Sequence, residues 1–407
     1  MRLAVILFLF IFIISCSSEN TYKNKMKSDV EYLSSDQLEG RSTGSKGANL
    51  AGKYIKNRFK ELSIKPMGED GYFQKFSFKP KAHPHEKITV SDSIIENSIT
   101  ANNVIGFINN NSDNTVVIGA HYDHLGYGGE GSLYRDSDIK IHNGADDNAS
   151  GVSLMLDLAA KLKDNINNNY LFIAFSGEEL GLLGSNFFVK NSTINIKSIN
   201  YMINMDMVGR LNTDNTLAVY GLGTSPIFKQ TIKSNNQNFK IIENESGIGP
   251  SDHTSFYLSD IPVLHFFTGQ HSDYHKPSDD SNLINYKGMN LISNFIYTII
   301  SDLNDNGKLP FRETKNESQE VPRFKVSLGV IPDYLYDGKG MRIDGVSQGR
   351  PAEKAGFQKG DIVIKLGDED ITDMMSYMKA LSKYKKGDKA EVQISRKNKL
   401  SIKKITF

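Results

Sequence analysis

The stretch Tyr170–Ser185, YLFIAFSGEELGLLGS, sets two carboxylates, Glu178 and Glu179, side by side just past an apolar run. Like charges that close repel, and one is neutralised unless a cation sits between them. Other segments supply partners for such a cation. The apolar run Thr115–Ala120 leads straight into His121-Tyr122-Asp123, and HNGADDNASG brings Asp146 and Asp147 just before a helical pattern that opens at Gly151. The run Ile199–Met205 ends at Asn204-Met205-Asp206, and QHSDYHKPSDD adds His271 and His275. Imidazole and carboxylate without thiolate suit zinc or a similar borderline ion. Two ions sharing a carboxylate would account for the number of acidic groups, with one glutamate ligating and the other free as a base. The competing reading is structural: acids favour the first turn of a helix, and Asp146 or Asp147 could cap the helix at Gly151.

The elements that must position these residues alternate along the chain. Helical spacing joins Ala51, Ile55, Phe59 and Leu62 on one face. Phe73–Asn114 is polar with short alternating runs and reads as a strand or hairpin excursion. Strands are expected at Thr115–Ala120, Tyr170–Phe175, Ile199–Met205, Leu217–Tyr220 and Pro262–Phe266. Helices are expected at Gly151–Leu162, Leu180–Lys190 and Pro226–Ser234, with a long one carrying Met289, Ile292, Phe295, Ile296, Ile299 and Leu303. This order predicts an α/β fold, a three-layer sandwich with a mainly parallel central sheet. Sites in such sheets form outside the carboxyl ends of the strands, so the chemistry-bearing segments should meet in one crevice. His124 and His142 lie near the site without matching a ligand position. In HSDYH, Gly269 before and Pro277 after argue against a helix, so only His275 is kept as a ligand candidate. His253 reads as structural. GYGGEG, residues 126–131, is followed by no helical pattern, so it reads as a loop beside the site rather than a dinucleotide motif.

The 407 residues leave room for two or three domains, at roughly 100–200 residues each. With 48 basic against 47 acidic residues, nothing in the charge balance points to nucleic acid. The first residues, MRLAVILFLFIFIISCSS, hold one arginine, an apolar run from Leu3 to Ile14, and the single cysteine, Cys16. The run is short for a membrane span and reads as a signal-peptide core. Its flank resembles a bacterial lipobox, which implies lipidation at Cys16, export, and anchoring on the periplasmic or cell-surface side. The expected layout is a signal at 1–16, a tether at 17–27, a catalytic domain at 28–303, a linker at 304–321 and a small β-rich domain at 322–407.

AHYDHLG, NGADDNASG, FSGEELGLLGS, NMDMVG and DYHKPSDD, in that order, resemble the co-catalytic zinc aminopeptidase family, whose fold is shared with glutaminyl cyclases and the transferrin receptor ectodomain. The resemblance covers about Ser34 to Leu303 and includes SSDQLEGRSTGSKGANLAGKYI, similar to the family's entry helix. It implies two zinc ions per chain: His121 and Asp206 on one, Glu179 and His275 on the other, and Asp147 bridging. It further implies Glu178 as general base, Asp123 as the acceptor that fixes the His121 tautomer, Tyr274 as an oxyanion donor, and a cis peptide at Asp147–Asn148. The substrates implied are peptides with a free N-terminus. A same-fold carboxypeptidase or dipeptidase, or an acyltransferase of the glutaminyl cyclase kind, remains open. The last domain resembles a PDZ domain, with SLGV (Ser327–Val330) at the carboxylate-binding loop and GRPAEKAGFQKGDIVIKLGDEDI as its body. Its groove would take a protein C-terminus as an added strand, or would be degenerate and only pack on the catalytic domain. A non-catalytic scaffold built around this domain is the remaining alternative.

Overall fold

A computed structural model describes residues 25–407 except 81–87, 89, 93–96, 130, 135, 315–325, 334, 335, 337, 347 and 348. The expected signal peptide and Cys16 lie outside the described residues, as does most of the expected tether. Residues 25–33 form helix α1, whose Met26, Val30 and Leu33 are core residues, so the catalytic unit starts before the expected boundary at 28.

The first unit is built on a 10-stranded sheet. Its antiparallel flank comprises β1 (Lys65–Pro66), β2 (Phe73–Phe78), β3 (Val90–Ser91) and β4 (Ile99–Ile108). The strands that follow are β5 (Thr115–His121), β6 (Asn169–Phe175), β7 (Ile199–Met205), β8 (Thr216–Tyr220), β9 (Lys240–Glu243) and β10 (Val263–Phe267). The order is β3-β2-β4-β6-β5-β7-β10-β8-β9, with β1 on β4. The centre, β6-β5-β7-β10, is a continuous parallel run and β9 pairs β8 in parallel; β4 joins β6 and β8 joins β10 antiparallel. The sheet as a whole is therefore mixed, where the sequence reading expected it mainly parallel.

Every residue of β5, β6 and β7 is buried, because both faces of the sheet are covered. Helices α2 (Lys46–Glu61), α3 (Gly151–Lys161), α4 (Leu183–Lys190), α5 (Phe228–Asn235), α6 (His253–Tyr257) and α7 (Tyr286–Leu303) divide between them. Val116, Ile118 and Ala120 share one core with residues of α1, α2, α3, α5 and α7. Val117, Leu171, Ile173 and Phe175 share the opposite core with Phe188 of α4 and Phe256 of α6. Alternate residues of one strand thus enter opposite cores, which gives the three layers.

Residues 304–314 are not the free linker that their polarity suggested. Leu309 is 3% exposed and its N–H donates to Asn200 Oδ1 (2.7 Å). Arg312 N–H donates to Thr224 O (2.8 Å), Phe311 packs 5.5 Å from Tyr257, and Thr314 N–H donates to the Tyr257 hydroxyl (2.9 Å).

The C-terminal unit contains β11 (Val330–Pro332), β12 (Met341–Val346), α8 (Pro351–Lys354), β13 (Ile362–Leu366), β14 (Glu369–Asp370), α9 (Met374–Leu381), β15 (Lys389–Arg396) and β16 (Lys399–Thr406). Its sheet runs β11-β12-β13-β15-β16 over its own core, which includes Leu328, Val363, Val392 and Ile394. β11 is an edge strand, preceded by the Ser327–Gly329 turn in which Gly329 adopts φ +79°.

Candidate metal centre

In-register pairing brings the strand ends together. His121 of β5 lies opposite Phe175 of β6, and Gly119 opposite Asn204 of β7. The residues that follow those ends, including Glu178 and Asp206, therefore emerge at one edge of the sheet. Gly177, at φ +80°, turns the chain as it leaves β6. The adjacent glutamates then enter different clusters. His121, Glu178 and Asp206 bring ligating atoms within 4.8 Å of one another, and so do His124, Asp147 and Glu179.

Asp147 lies between the two halves. Its Oδ1 is 3.3 Å from His121 Nε2 and its Oδ2 is 3.2 Å from His275 Nε2. Asp206 Oδ1 lies 3.2 Å from His121 Nε2, and Glu179 Oε2 lies 3.3 Å from His275 Nε2. Both imidazoles have their other nitrogen against a carbonyl: His121 Nδ1 on Asp123 O (3.2 Å) and His275 Nδ1 on Gly131 O (2.8 Å). Nδ1 is thereby the donor, and Nε2 is left to face the carboxylates. Asp147, Glu178, Glu179 and Asp206 crowd one buried cleft, so their charge calls for more cation than the imidazoles provide. Carboxylate oxygens and imidazole Nε2 atoms are the donor set that zinc accepts, and the residues present fit it.

The protonation tendencies follow from burial and neighbours. Burial pushes the Glu178 carboxyl well up; His121 opposes this, and Asp206, Glu179 and Asp252 reinforce it. Glu179 meets the same burial and the Asp147 charge, yet His275 and hydrogen bonds from His124 and His275 hold it down at about 2. The two glutamates are thus driven in opposite directions, the pattern expected when one carries a proton and the other ligates. Tyr274 stacks on His275 with ring centroids 3.8 Å apart. Burial, followed by Asp147, Glu179, Glu178 and Asp206, pushes its hydroxyl well up, so it stays a donor.

Several expected roles change in detail. The Asp123 carboxylate is 3.8 Å from His121 Nδ1, so its main-chain oxygen, at 3.2 Å, fixes the tautomer. The carboxylate instead accepts from Glu178 N–H (3.2 Å) and Thr43 Oγ1–H (2.8 Å), holding the turn that carries Glu178. Asp146 does not cap α3; Asn148 Oδ1 accepts from Gly151 N–H (2.9 Å). Asp146 accepts from Gly209 N–H (2.6 Å) and pairs with His271 Nε2 (3.1 Å), which keeps His271 out of the ligand set as expected. His253 stacks on His265 (4.4 Å, 5°) in the core, as a structural residue would. The Asp147–Asn148 peptide is cis, as the resemblance implied.

Sequence reasoning missed three contributors. Arg41 is fully buried and donates to Tyr122 O (2.8 Å), Asn143 O (2.7 Å), Gly144 O (3.0 Å) and Leu33 O, tying four chain segments around the cleft. Asp279, four residues beyond His275, accepts with Oδ2 from Asp146 N–H (2.9 Å) and Asp147 N–H (3.1 Å). Asp252 is buried, and that burial, opposed by the charge of His121, raises its carboxyl to about 7. Arg41 and Asp279 both fall inside stretches that carry the resemblance, SSDQLEGRSTGSKGANLAGKYI and DYHKPSDD, but each acts on main-chain groups, which residue type and spacing do not reveal.

Residues 103–300 match the model of peptidase family M28, and residues 313–406 match that of the PDZ domain. A probable leucine aminopeptidase of Trichophyton verrucosum is 33% identical over 177 residues, covering 39% of this chain and 44% of that protein. Aminopeptidase YwaD of Bacillus subtilis is 30% identical over 200 residues, 44% of this chain and 40% of its own. The chain thus spans less than half the length of these curated relatives. Among solved structures, BSAP, a zinc aminopeptidase from Bacillus subtilis, aligns at TM-score 0.52 and 16% identity over 71% of this chain and 95% of its own. Glutaminyl cyclase of Porphyromonas gingivalis aligns at TM-score 0.54 and 16% identity over 69% and 98%; at such identities the likeness is one of fold.

Proposed function

From the match of residues 103–300 to peptidase family M28 and of residues 313–406 to the PDZ domain, we propose that this chain is an exported, lipid-anchored aminopeptidase with two zinc ions. The observation that carries the reading is Asp147, whose two oxygens face two separate imidazole–carboxylate sets. His121, Asp147 and Asp206 would hold one ion, and Asp147, Glu179 and His275 the other. Bound zinc would polarise the scissile carbonyl and lower the pKa of the attacking water towards roughly neutral.

The chain's own residues do the rest. Glu178 accepts the proton that water loses as its oxygen bonds to the carbonyl carbon. It then passes that proton to the amine nitrogen as the C–N bond breaks, so one water is consumed and a free amino acid and a shortened peptide leave. A carboxyl with a raised pKa suits both transfers. The Tyr274 hydroxyl donates to the carbonyl oxygen as negative charge builds on it. Asp123 holds the Glu178 turn through its carboxylate and the His121 tautomer through its main-chain oxygen.

Glu178→Gln tests the catalytic part: activity should fall by roughly 10²–10⁴-fold with zinc content unchanged, and unchanged turnover would contradict it. Anchoring rests on the apolar run Leu3–Ile14 and the single cysteine after it. Cys16→Ser should release the protein from membranes, and retention would sink that part. The edge strand β11 and the Ser327–Gly329 turn support a PDZ groove that takes a protein C-terminus.

A further inference from the structure

His124 stands three residues after His121, and the family resemblance gives it no role. The structure buries it and sets its Nδ1 2.8 Å from Glu179 Oε1, with Asp147 Oδ2 farther off at 3.9 Å. Its ring meets the His275 ring edge-on at 5.7 Å. Its place exists because residue 144 is glycine, at φ +55°: a Cβ there would fall 2.5 Å from His124 Cδ2. An ionised carboxylate only accepts hydrogen bonds, so Nδ1 carries the hydrogen. Nε2 is then the bare nitrogen, and it is buried without a partner. A buried polar atom left unsatisfied is costly, which marks the contact made by the other nitrogen as the one the fold retains.

That contact divides the two oxygens of Glu179. Oε1 is held by His124, and Oε2 faces His275 Nε2 at 3.3 Å. The opposite half has no counterpart: among the described residues the Asp206 carboxylate has His121 alone as a hydrogen-bond or ion-pair partner. We propose that His124 is a positioning residue for the Glu179–His275 half of the centre, holding Oε1 so that Oε2 alone is presented to an ion shared with Asp147. The proposal rests on the two-ion reading above. It makes the halves unequal: the Glu179–His275 half is preorganised and fills first, and the Asp206 half fills second.

The test is a zinc titration of the metal-free full chain against a chromophoric chelator, with Co²⁺ absorption spectra in parallel. The variants are His124→Leu, which removes the donor, and His124→Asn, whose amide N–H stands where Nδ1–H stands. In wild type two zinc equivalents should bind with distinct affinities. His124→Leu should weaken the tighter one by roughly 10–100-fold and leave the other unchanged. His124→Asn should restore most of the loss with a wild-type Co²⁺ spectrum. Melting of the metal-free variants separates a folding defect from a site defect. Unchanged affinity in His124→Leu, or equal weakening of both equivalents, overturns the proposal. A Co²⁺ spectrum of His124→Asn with one ligand fewer would make His124 a ligand and overturn the positioning role. Should wild type hold a single zinc, the two-ion reading fails by itself, and His124→Leu must still weaken that ion or this proposal falls as well.

Discussion

Asp279→Ala isolates the clamp behind the bridging carboxylate. Its Oδ2 accepts two buried main-chain N–H groups, those of Asp146 and Asp147. Orphaning a buried donor costs about 1–3 kcal/mol, so the pair is worth about 2–6 kcal/mol. Against this, Oδ1 is buried without a partner, and burial followed by the Asp146 charge raises the carboxyl from 3.8 to about 6. A rise of roughly two units corresponds to about 3 kcal/mol against the ionised form. The folded pKa lies above the unfolded one, so this stabilising contribution is complete below about pH 4 and is lost as pH rises through about 6. Roughly half of it, about 1.5 kcal/mol, disappears between pH 5 and pH 8. The wild type should therefore exceed Asp279→Ala in stability at pH 5, by a margin that narrows at pH 8. Asp279→Asn keeps an acceptor without a charge and should gain on wild type over the same interval. Urea denaturation of the metal-free proteins at both pH values measures these gaps. A margin that stays constant or widens with pH would refute the burial argument for Asp279.

If Tyr274 donates to the developing oxyanion as proposed, Tyr274→Phe should lower kcat by roughly 10²–10³-fold with zinc content retained, measured by steady-state kinetics beside metal analysis. Stripping zinc with a chelator should lower the melting temperature, and restoring it at about 100 times its Kd should return roughly 2.7 kcal/mol, read by thermal denaturation. A chain ending after Thr314 should melt like the full catalytic unit. One ending at Leu303 loses buried Leu309, its tie to Asn200 and the tie of Thr314 to Tyr257, and should be less stable by at least about 1.5–3 kcal/mol.

How much of this was legible in the sequence follows from where each residue acts. His121, Glu178, Glu179 and Asp206 stand where wholly buried, mostly apolar strands run out, and a buried parallel strand announces its own end. β9 and α6 were missed because β9 is largely solvent-facing and α6 is only five residues long, so neither shows an apolar period. The sheet was read as mainly parallel because alternation of strand and helix reports crossovers, whereas the pairing of β4 on β6 and β8 on β10 is set by packing between distant segments. Residues 304–314 looked like linker by composition, since a single buried leucine and main-chain hydrogen bonds leave almost no pattern. Arg41, Asp279 and His124 act through a carbonyl, an amide and a neighbouring carboxylate. Such contacts join segments far apart in the chain, 41 to 143, 146 to 279 and 124 to 179, and so leave no local pattern.

The central claim is that one centre with two zinc ions removes residues from free peptide N-termini. Zinc per chain should be counted on the chain from Ser17, and N-terminally free and blocked peptides assayed side by side. The account predicts two zincs and cleavage of the free peptides alone. Cleavage of blocked peptides, or full activity in a chain stripped of zinc, would contradict it.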